Sequence, residues 1–366
     1  MHKQLYKFEP DWLHLVPPGE IILEDMASLG LSQKDLASRT AYSTKHIHKL
    51  LKGEAPINAN TALRLEKVLG VAASFWMNLE NTYREALAKE EERISLAEEQ
   101  DWLKQIPLKS MLKFGWIDKY SNKGEQIAEC LKFYGVASIS AWHTRGEKYQ
   151  VAFKSSDKFS QNEIAIQTWL RKGEIEANKT VCAPFNKKIL QESLGSLRAL
   201  TLIKDMNEFL PKLSELCAKF GVAVVFSPTP DECPMSGATK WLSPKKALLL
   251  LSLRYKTNDH MWFAFFHEIA HILLHKKQLF LEGKKEFIKE VLLEEEANKF
   301  ASDLLIPVAQ TERFPTLTTA SLIQEFSEEI GIHSGITVGR LQREKCIPFS
   351  CLNDLKIRYQ WESLHQ

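Results

Sequence analysis

The stretch MWFAFFHEIAHILLH, residues 261–275, decides how the rest of the chain is read. His267, Glu268 and His271 interrupt its apolar run, and it falls short of the roughly 20 residues that cross a bilayer. It therefore predicts a helix inside a protein core, capped by Asn258 or Asp259. His267 and His271 stand at i and i+4, so a helix projects both from one face. Two imidazoles so placed can meet one ion. Glu268 can reach a water at that ion and act as a general base. An HExxH pattern is short and recurs by chance, and two buried histidines can also satisfy each other or the backbone. The apolar flank MWFAFF sharpens the choice, because buried polar groups need partners and a metal answers that need with one ion.

A catalytic zinc site keeps three protein ligands and an open position. The third ligand is expected on the next helix, over 291–305, which Pro307 stops. Glu294, Glu295 and Glu296 compete for the role. At about 100° per residue, Ala297, Phe300, Ala301, Leu304 and Leu305 form one apolar stripe. Glu294 falls within that stripe, Glu295 points away and Glu296 lies at the far edge. Helical phase selects Glu294. Asn298, a turn later, can orient the ligands. His275 continues the histidine face. It can steady an oxyanion or product carboxylate, or it can support the ligands near the helix end.

The 366 residues carry a net charge of +2, too small for a general polyanion binder, so any nucleic-acid role must rest on local charge. The first ten residues are polar, with no apolar segment of a signal peptide after them. The six cysteines show no CxxC pair, which fits reduced thiols and a cytoplasmic protein. Cys233 reads as a buried structural thiol.

Outward from the central stretch, GVAVVF (221–226) and ALLLLSL (247–253) read as strands, the second offering an edge to an extended substrate. Residues 135–142 and 149–153 are also strand candidates. The charged run at 84–100 reads as a solvated helical connector.

A second signal lies near the N-terminus. In LSQKDLA (31–37), Ser32 can cap a helix, Asp35 can close a capping box and Leu31 can staple to Leu36. A turn at 40–42 follows. Ser43 can cap a second helix, which ends before Gly53. Two short helices joined this way, with Ala37 small enough for close crossing, predict a helix-turn-helix. Ile47, Leu50 and Leu51 face inward. Ser43, Thr44, Lys45, His48 and Lys49 are left for DNA, and Gln33 starts the preceding helix, where it can hold a phosphate.

HEIAHILLH followed by EEEANKFASDLLIP (294–307) resembles the ImmA/IrrE family of zinc metallopeptidases over roughly residues 220–345. His267, Glu268, His271, Glu294, Ala297, Asn298, Phe300, Ala301, Leu304, Leu305 and Pro307 match its pattern, while Ala270 stands where glycine is more usual. Residues 16–84 resemble the XRE-type domain of HigA-like antitoxins. The Pro18–Glu20 start, LSQxxLA, TALRLEKVLG (61–70) and FWMNL (75–79) carry that likeness.

These resemblances imply a multi-domain, mainly α chain with an α+β part. Residues 1–85 are expected to form an all-α helix-turn-helix bundle and 86–101 a connector. Residues 102–204 are expected to form a middle domain, and 205–366 a zincin-like α+β metallopeptidase domain with a helical tail. The implied function is a transcription regulator with a Zn²⁺-dependent endopeptidase, Mn²⁺ being the other candidate metal. Its expected partners are a palindromic double-stranded DNA operator, bound as a homodimer, and a cleaved repressor, toxin or other protein, with no membrane. The alternative is a non-enzymatic antitoxin-like repressor whose metal domain senses a signal or binds a toxin.

Overall fold

In the computed structural model, which describes residues 16–153, 161–275, 280–281 and 288–360, the 261–275 stretch forms most of a helix packed under a small sheet. The chain divides into two units. Residues 1–100 and 120–128 form the first; 101–119 and 129–366 form the second. The polar segment 1–10, read for a signal peptide, lies outside the described residues.

The first unit contains α1 (Pro18–Ser28), α2 (Gln33–Thr40), α3 (Thr44–Leu51), α4 (Ala59–Leu69) and α5 (Ala73–Glu98). Local chemistry marks its boundaries. Ser32 accepts from the Asp35 backbone N–H while the Asp35 carboxylate accepts from that of Ser32, the reciprocal capping box. Ser43 caps α3 by accepting from His46 N–H. Ile22, Leu36, Ile47, Leu50, Leu65 and Trp76 close the core between these helices. The expected connector is the second half of α5, whose pairs Lys89–Glu85 and Arg93–Glu90 lie along its polar surface.

The second unit opens with α6 (Leu108–Lys113), α7 (Lys123–Tyr134, shared with the first), α8 (Ile139–Phe153), α9 (Gln161–Lys179), α10 (Lys187–Ala199) and α11 (Met206–Ala218). The strand expectation at 135–142 and 149–153 is corrected. Gly135 is a left-handed stop after α7, residues 136–138 connect the two helices through a bend, and residues 139–142 and 149–153 lie in α8. β1 (Val222–Phe226), β2 (Gly237–Ser243), β3 (Lys246–Leu251) and β4 (Phe280–Leu281) form a sheet in the order β1-β3-β2-β4. α12 (Asn258–Leu274), α13 (Ile288–Leu305), α14 (Ala320–Ile330) and α15 (Ser334–Arg343) complete the unit.

β3 pairs parallel with β1 and antiparallel with β2. It is an interior strand, so it offers no edge to a substrate, contrary to the sequence expectation. Both sheet faces are covered, which explains the unbroken apolar run of β3. Ala223, Val225, Leu248 and Leu250 meet Trp169 and Leu170 of α9, while Val222, Val224, Leu249 and Leu251 join Phe209 of α11 and Trp262 and Phe266 of α12 in another core. Gly173 permits this close approach, since a Cβ there would stand 2.7 Å from Leu250 Cδ2. α9 and α10 supply apolar faces to the cores around this sheet.

Candidate metal centre and DNA-facing helix

α12 is buried along nearly its whole length, so the sheet on one side and neighbouring helices on others fix its rotation. Its start differs from the sequence expectation. Thr257 is the N-cap and makes no side-chain cap bond. Asn258 instead lies fully buried, with Nδ2 3.0 Å from His333 Nδ1 and Oδ1 accepting from Ile357 N–H. Asp259 pairs with Lys356 at 2.7 Å. Those contacts tie the helix start to the C-terminal strap instead of capping it.

One turn of α12 and one turn of α13 bring the ligand candidates together. His267 Nε2 and His271 Nε2 are 2.9 Å apart, and the Glu294 carboxylate lies 3.4 Å from the first and 3.3 Å from the second. One donor atom from each residue falls within 4.8 Å of the others. All three residues are buried, whereas Glu295 and Glu296 are exposed, as helical phase requires. Cys233 is not part of the cluster; it is buried beside Met235, and burial pushes its thiol up to about 11.

The electrostatics suit a cation. Burial is the main force holding the His271 imidazole below its ordinary value, so it is neutral at neutral pH, the form that ligates. Burial acts to raise the Glu294 carboxyl, but hydrogen bonds and charge from His267 and His271 outweigh it and lower it to about 2. His267 Nδ1 meets Asn298 Oδ1 at 3.1 Å. Donation of the Nδ1 proton there leaves Nε2 as a lone pair facing the cluster. Two nitrogen donors and a carboxylate in this arrangement fit zinc or a similar divalent ion.

Glu268 sits beside the donor cluster but is held from the other side. It is fully buried, and its Oε2 accepts from the Thr239 hydroxyl at 2.5 Å. A Cβ on Gly237 would come within 2.6 Å of Glu268 Oε1, so β2 needs glycine there for the carboxylate to fit. Neither Gly237 nor Thr239 was found from sequence. Gly237 and Lys240 disrupt the alternation by which a strand is recognised, and the link to Glu268 is made only by folding.

His275 ends α12 as its C-cap. Its Nδ1 lies 2.8 Å from His271 Nδ1 and its Nε2 3.2 Å from Glu296. Of the two sequence readings, that geometry favours support of a ligand over direct work on a substrate.

In the first unit, Gln33 is the first residue of α2, and Ser43, Thr44, Lys45, His48 and Lys49 are exposed on or just before α3. Ile47, Leu50 and Leu51 face the core. Ser43 also holds the start of α3 through His46 N–H. Sequence reasoning missed Arg64. Its guanidinium donates to Thr40 O at 2.7 Å and stacks 4.6 Å over the Tyr42 ring, pinning the turn between α2 and α3.

A family model described as helix-turn-helix matches residues 22–76, and one described as IrrE N-terminal-like domain matches residues 217–323. The chain is a helix-turn-helix protein that carries an IrrE N-terminal-like domain. Virulence-associated protein I of Dichelobacter nodosus is 32% identical over 79 residues, 21% of this chain and 73% of that protein. An uncharacterised HTH-type transcriptional regulator, YddM, of Escherichia coli strain K12 is 29% identical over 80 residues, 22% of this chain and 83% of that protein. A solved addiction module antidote protein of a HigA family from Coxiella burnetii is 34% identical. It covers 23% of this chain and 92% of its own, with a TM-score of 0.21. The helix-turn-helix domain thus coincides with the α2–α3 signal, and the IrrE N-terminal-like domain contains both histidines and Glu294. Among the described residues, no helix is long and apolar enough to cross a membrane.

Proposed function

We propose that this helix-turn-helix protein is a transcription regulator with a built-in zinc-dependent endopeptidase, which cleaves a regulatory protein partner or the chain itself. The observation that carries the reading is the buried convergence of His267, His271 and Glu294 with Glu268 alongside. His267, His271 and Glu294 would hold the ion, zinc or manganese. When bound, the ion supplies Lewis-acid polarisation of the scissile carbonyl.

The protein's own groups do the rest. Glu268 takes a proton from the attacking water and returns it to the leaving amine. Thr239 anchors one carboxylate oxygen, which limits the orientations available to the base. Asn298 fixes the His267 tautomer, and His275 does the corresponding work for His271 while contacting Glu296. The half of the reading that concerns DNA rests on α3. Thr44, Lys45, His48 and Lys49 face base edges and phosphates, with Ser43 and Gln33 at the helix starts, and a homodimer reads a palindrome.

Glu268→Gln tests the enzyme. The variant keeps its metal by elemental analysis, because Glu268 is not a ligand, and loses cleavage of protein partners and of the chain itself. Equal cleavage by wild type and variant overturns Glu268 as the base. A wild type that retains metal but leaves every protein encoded beside its gene, and itself, intact overturns the peptidase reading.

A further inference from the structure

The second unit contains a cavity of about 260 Å³ between α12, the end of α13, and α15. Its position follows from the way α12 and α13 meet. His271 faces Glu294, and one turn earlier on α12 His267 faces Asn298, so the two helices run antiparallel. The same register carried one turn further brings Phe263 opposite Ser302, and then His260 opposite Leu305. All four line the cavity. At about 100° per residue, Phe263 and His260 also lie on the face of α12 that carries the two histidines. The Phe263 ring is 6.3 Å from that of His267. The cavity thus continues the seam that holds the donor cluster, and it reaches the surface beside Phe349, which is 72% exposed.

A hollow of this size departs from the close packing of an interior, where voids larger than a water molecule are few. What it offers an occupant is apolar surface. Phe263, Leu305, Ile306 and Ile336 form its wall. The charged residues of the lining, Asp259, Arg340 and Arg343, are engaged within the protein. Asp259 pairs with Lys356 at 2.7 Å, Arg340 lies 2.9 Å from Glu344, and the Arg343 guanidinium stacks 4.6 Å over the Phe263 ring. A charged or strongly polar group seated there loses hydration without return, whereas a large apolar group gains from burial.

We propose that this cavity is a specificity pocket, which receives one large apolar side chain of the polypeptide that the metal centre cleaves. The inference rests on the peptidase reading and adds to it the class of side chain selected. One helical turn is about 5.4 Å and an extended chain advances about 3.4 Å per residue, so a pocket one turn from the donor cluster takes a residue within about two positions of the cleaved bond. Leucine, isoleucine, methionine and phenylalanine cover the apolar wall; alanine, serine and aspartate do not. Phe263 and Ser302 set the end of the pocket nearest the cluster.

Two measurements on the full chain test the pocket separately from the chemistry. In the first, zinc-loaded wild type is given a mixture of unstructured peptides, and the cut bonds are read by mass spectrometry. One position near the cut should favour leucine, isoleucine, methionine or phenylalanine at least about tenfold over alanine, a 1.4 kcal/mol difference. Ser302→Phe, which fills the cavity from α13, should shift that preference to alanine and serine while cleavage persists. In the second, Glu268→Gln protein is titrated with two fluorescein-labelled peptides, an alanine–serine sequence and the same sequence with one central leucine. The leucine peptide should bind at least about tenfold more tightly, and adding Ser302→Phe should erase the difference. If Ser302→Phe does not fold, Phe263→Ala decides; by widening the pocket it should favour phenylalanine over leucine in both measurements. Leucine-dependent binding without any cleavage upholds the pocket and overturns the peptidase. Cleavage without side-chain preference, equal binding of the two peptides, or a preference that these variants leave unchanged overturns the pocket and leaves the peptidase standing.

Discussion

The helix-turn-helix domain and the metal centre are both built from pairs of helices, yet they are assembled by different means. In the first, each helix carries its own start signal within four residues: Ser32 with Asp35 for α2, and Ser43 with His46 N–H for α3. Its candidate DNA contacts lie on or at the starts of those same helices. In the second, α12 has no side-chain cap and α13 brings its donor from beyond an intervening segment. His267, His271 and Glu294 meet because α12 is gripped by the sheet, α13 and α15 together. Loss of one capping bond should thus be felt locally, whereas a change at the metal centre should disturb groups far apart in sequence.

The largest expected effect breaks the metal centre at the point where phase chose among neighbours. Glu294→Ala should lose retained metal, with affinity falling by more than the 10–100-fold that residues behind the ligands typically cost. Glu295→Ala should leave it unchanged. Chelator competition measures both, and equal behaviour of the two variants would mean that helical phase picked the wrong glutamate.

Next in size is the ion cluster on the α9 side of the sheet. Glu174 of α9 accepts from Lys240 of β2 at 2.5 Å and from Arg171 at 3.0 Å. Burial acts to raise its carboxyl, but Lys240 with the arginines outweighs it and holds it below the ordinary value of 4.5. Because the folded value is depressed, its stabilising contribution is present above about pH 4.5 and is lost as pH falls through the folded value. Glu174→Ala should cost about 3 kcal/mol at pH 7, the low end for a buried pair because Lys240 and Arg145 are partly exposed. The gap from wild type should narrow in denaturant titrations run at successively lower pH. A gap independent of pH would assign the loss to packing.

The helix-turn-helix domain should respond more gently. Lys45→Ala with Lys49→Ala should weaken operator binding and reduce the slope of log affinity against log salt by about 2, roughly 0.9 for each phosphate no longer neutralised by a lysine. An unchanged slope removes α3 from the DNA interface. Ser43→Ala should cost about 1 kcal/mol, the usual worth of an N-cap, and hydrogen exchange should quicken mainly within α3. Exchange that quickened equally in α12 would erase the contrast between the two regions.

Legibility from sequence follows the same division. The Ser32 and Ser43 caps, the inward Ile47, Leu50 and Leu51, and the buried Glu294 were readable because each depends on spacing along one helix. The strand reading at 135–142 and 149–153 failed because apolar, β-prone residues also suit a helix, and residues 139–142 and 149–153 belong to α8. The packing of α9 was illegible for a related reason. α9 looks like an ordinary helix until Trp169 and Leu170 are seen against Val225 and Leu250. Thr239 and Gly237 had no local signal, since their part is defined by a carboxylate on another element.

By itself, then, the sequence determined that α2, α3, α12 and α13 form, where the α2–α3 pair begins, and that His267, His271 and Glu294 lie on core-facing stripes. These are consequences of a period of 3.6 residues and of short-range hydrogen bonds. Only the tertiary structure decided that β3 is an interior strand and that Thr239 holds Glu268. It alone placed Asp259 and Arg340 in one cavity. Each of those depends on where separate elements come to rest, which is set by the joint filling of a core and not by any one segment's pattern.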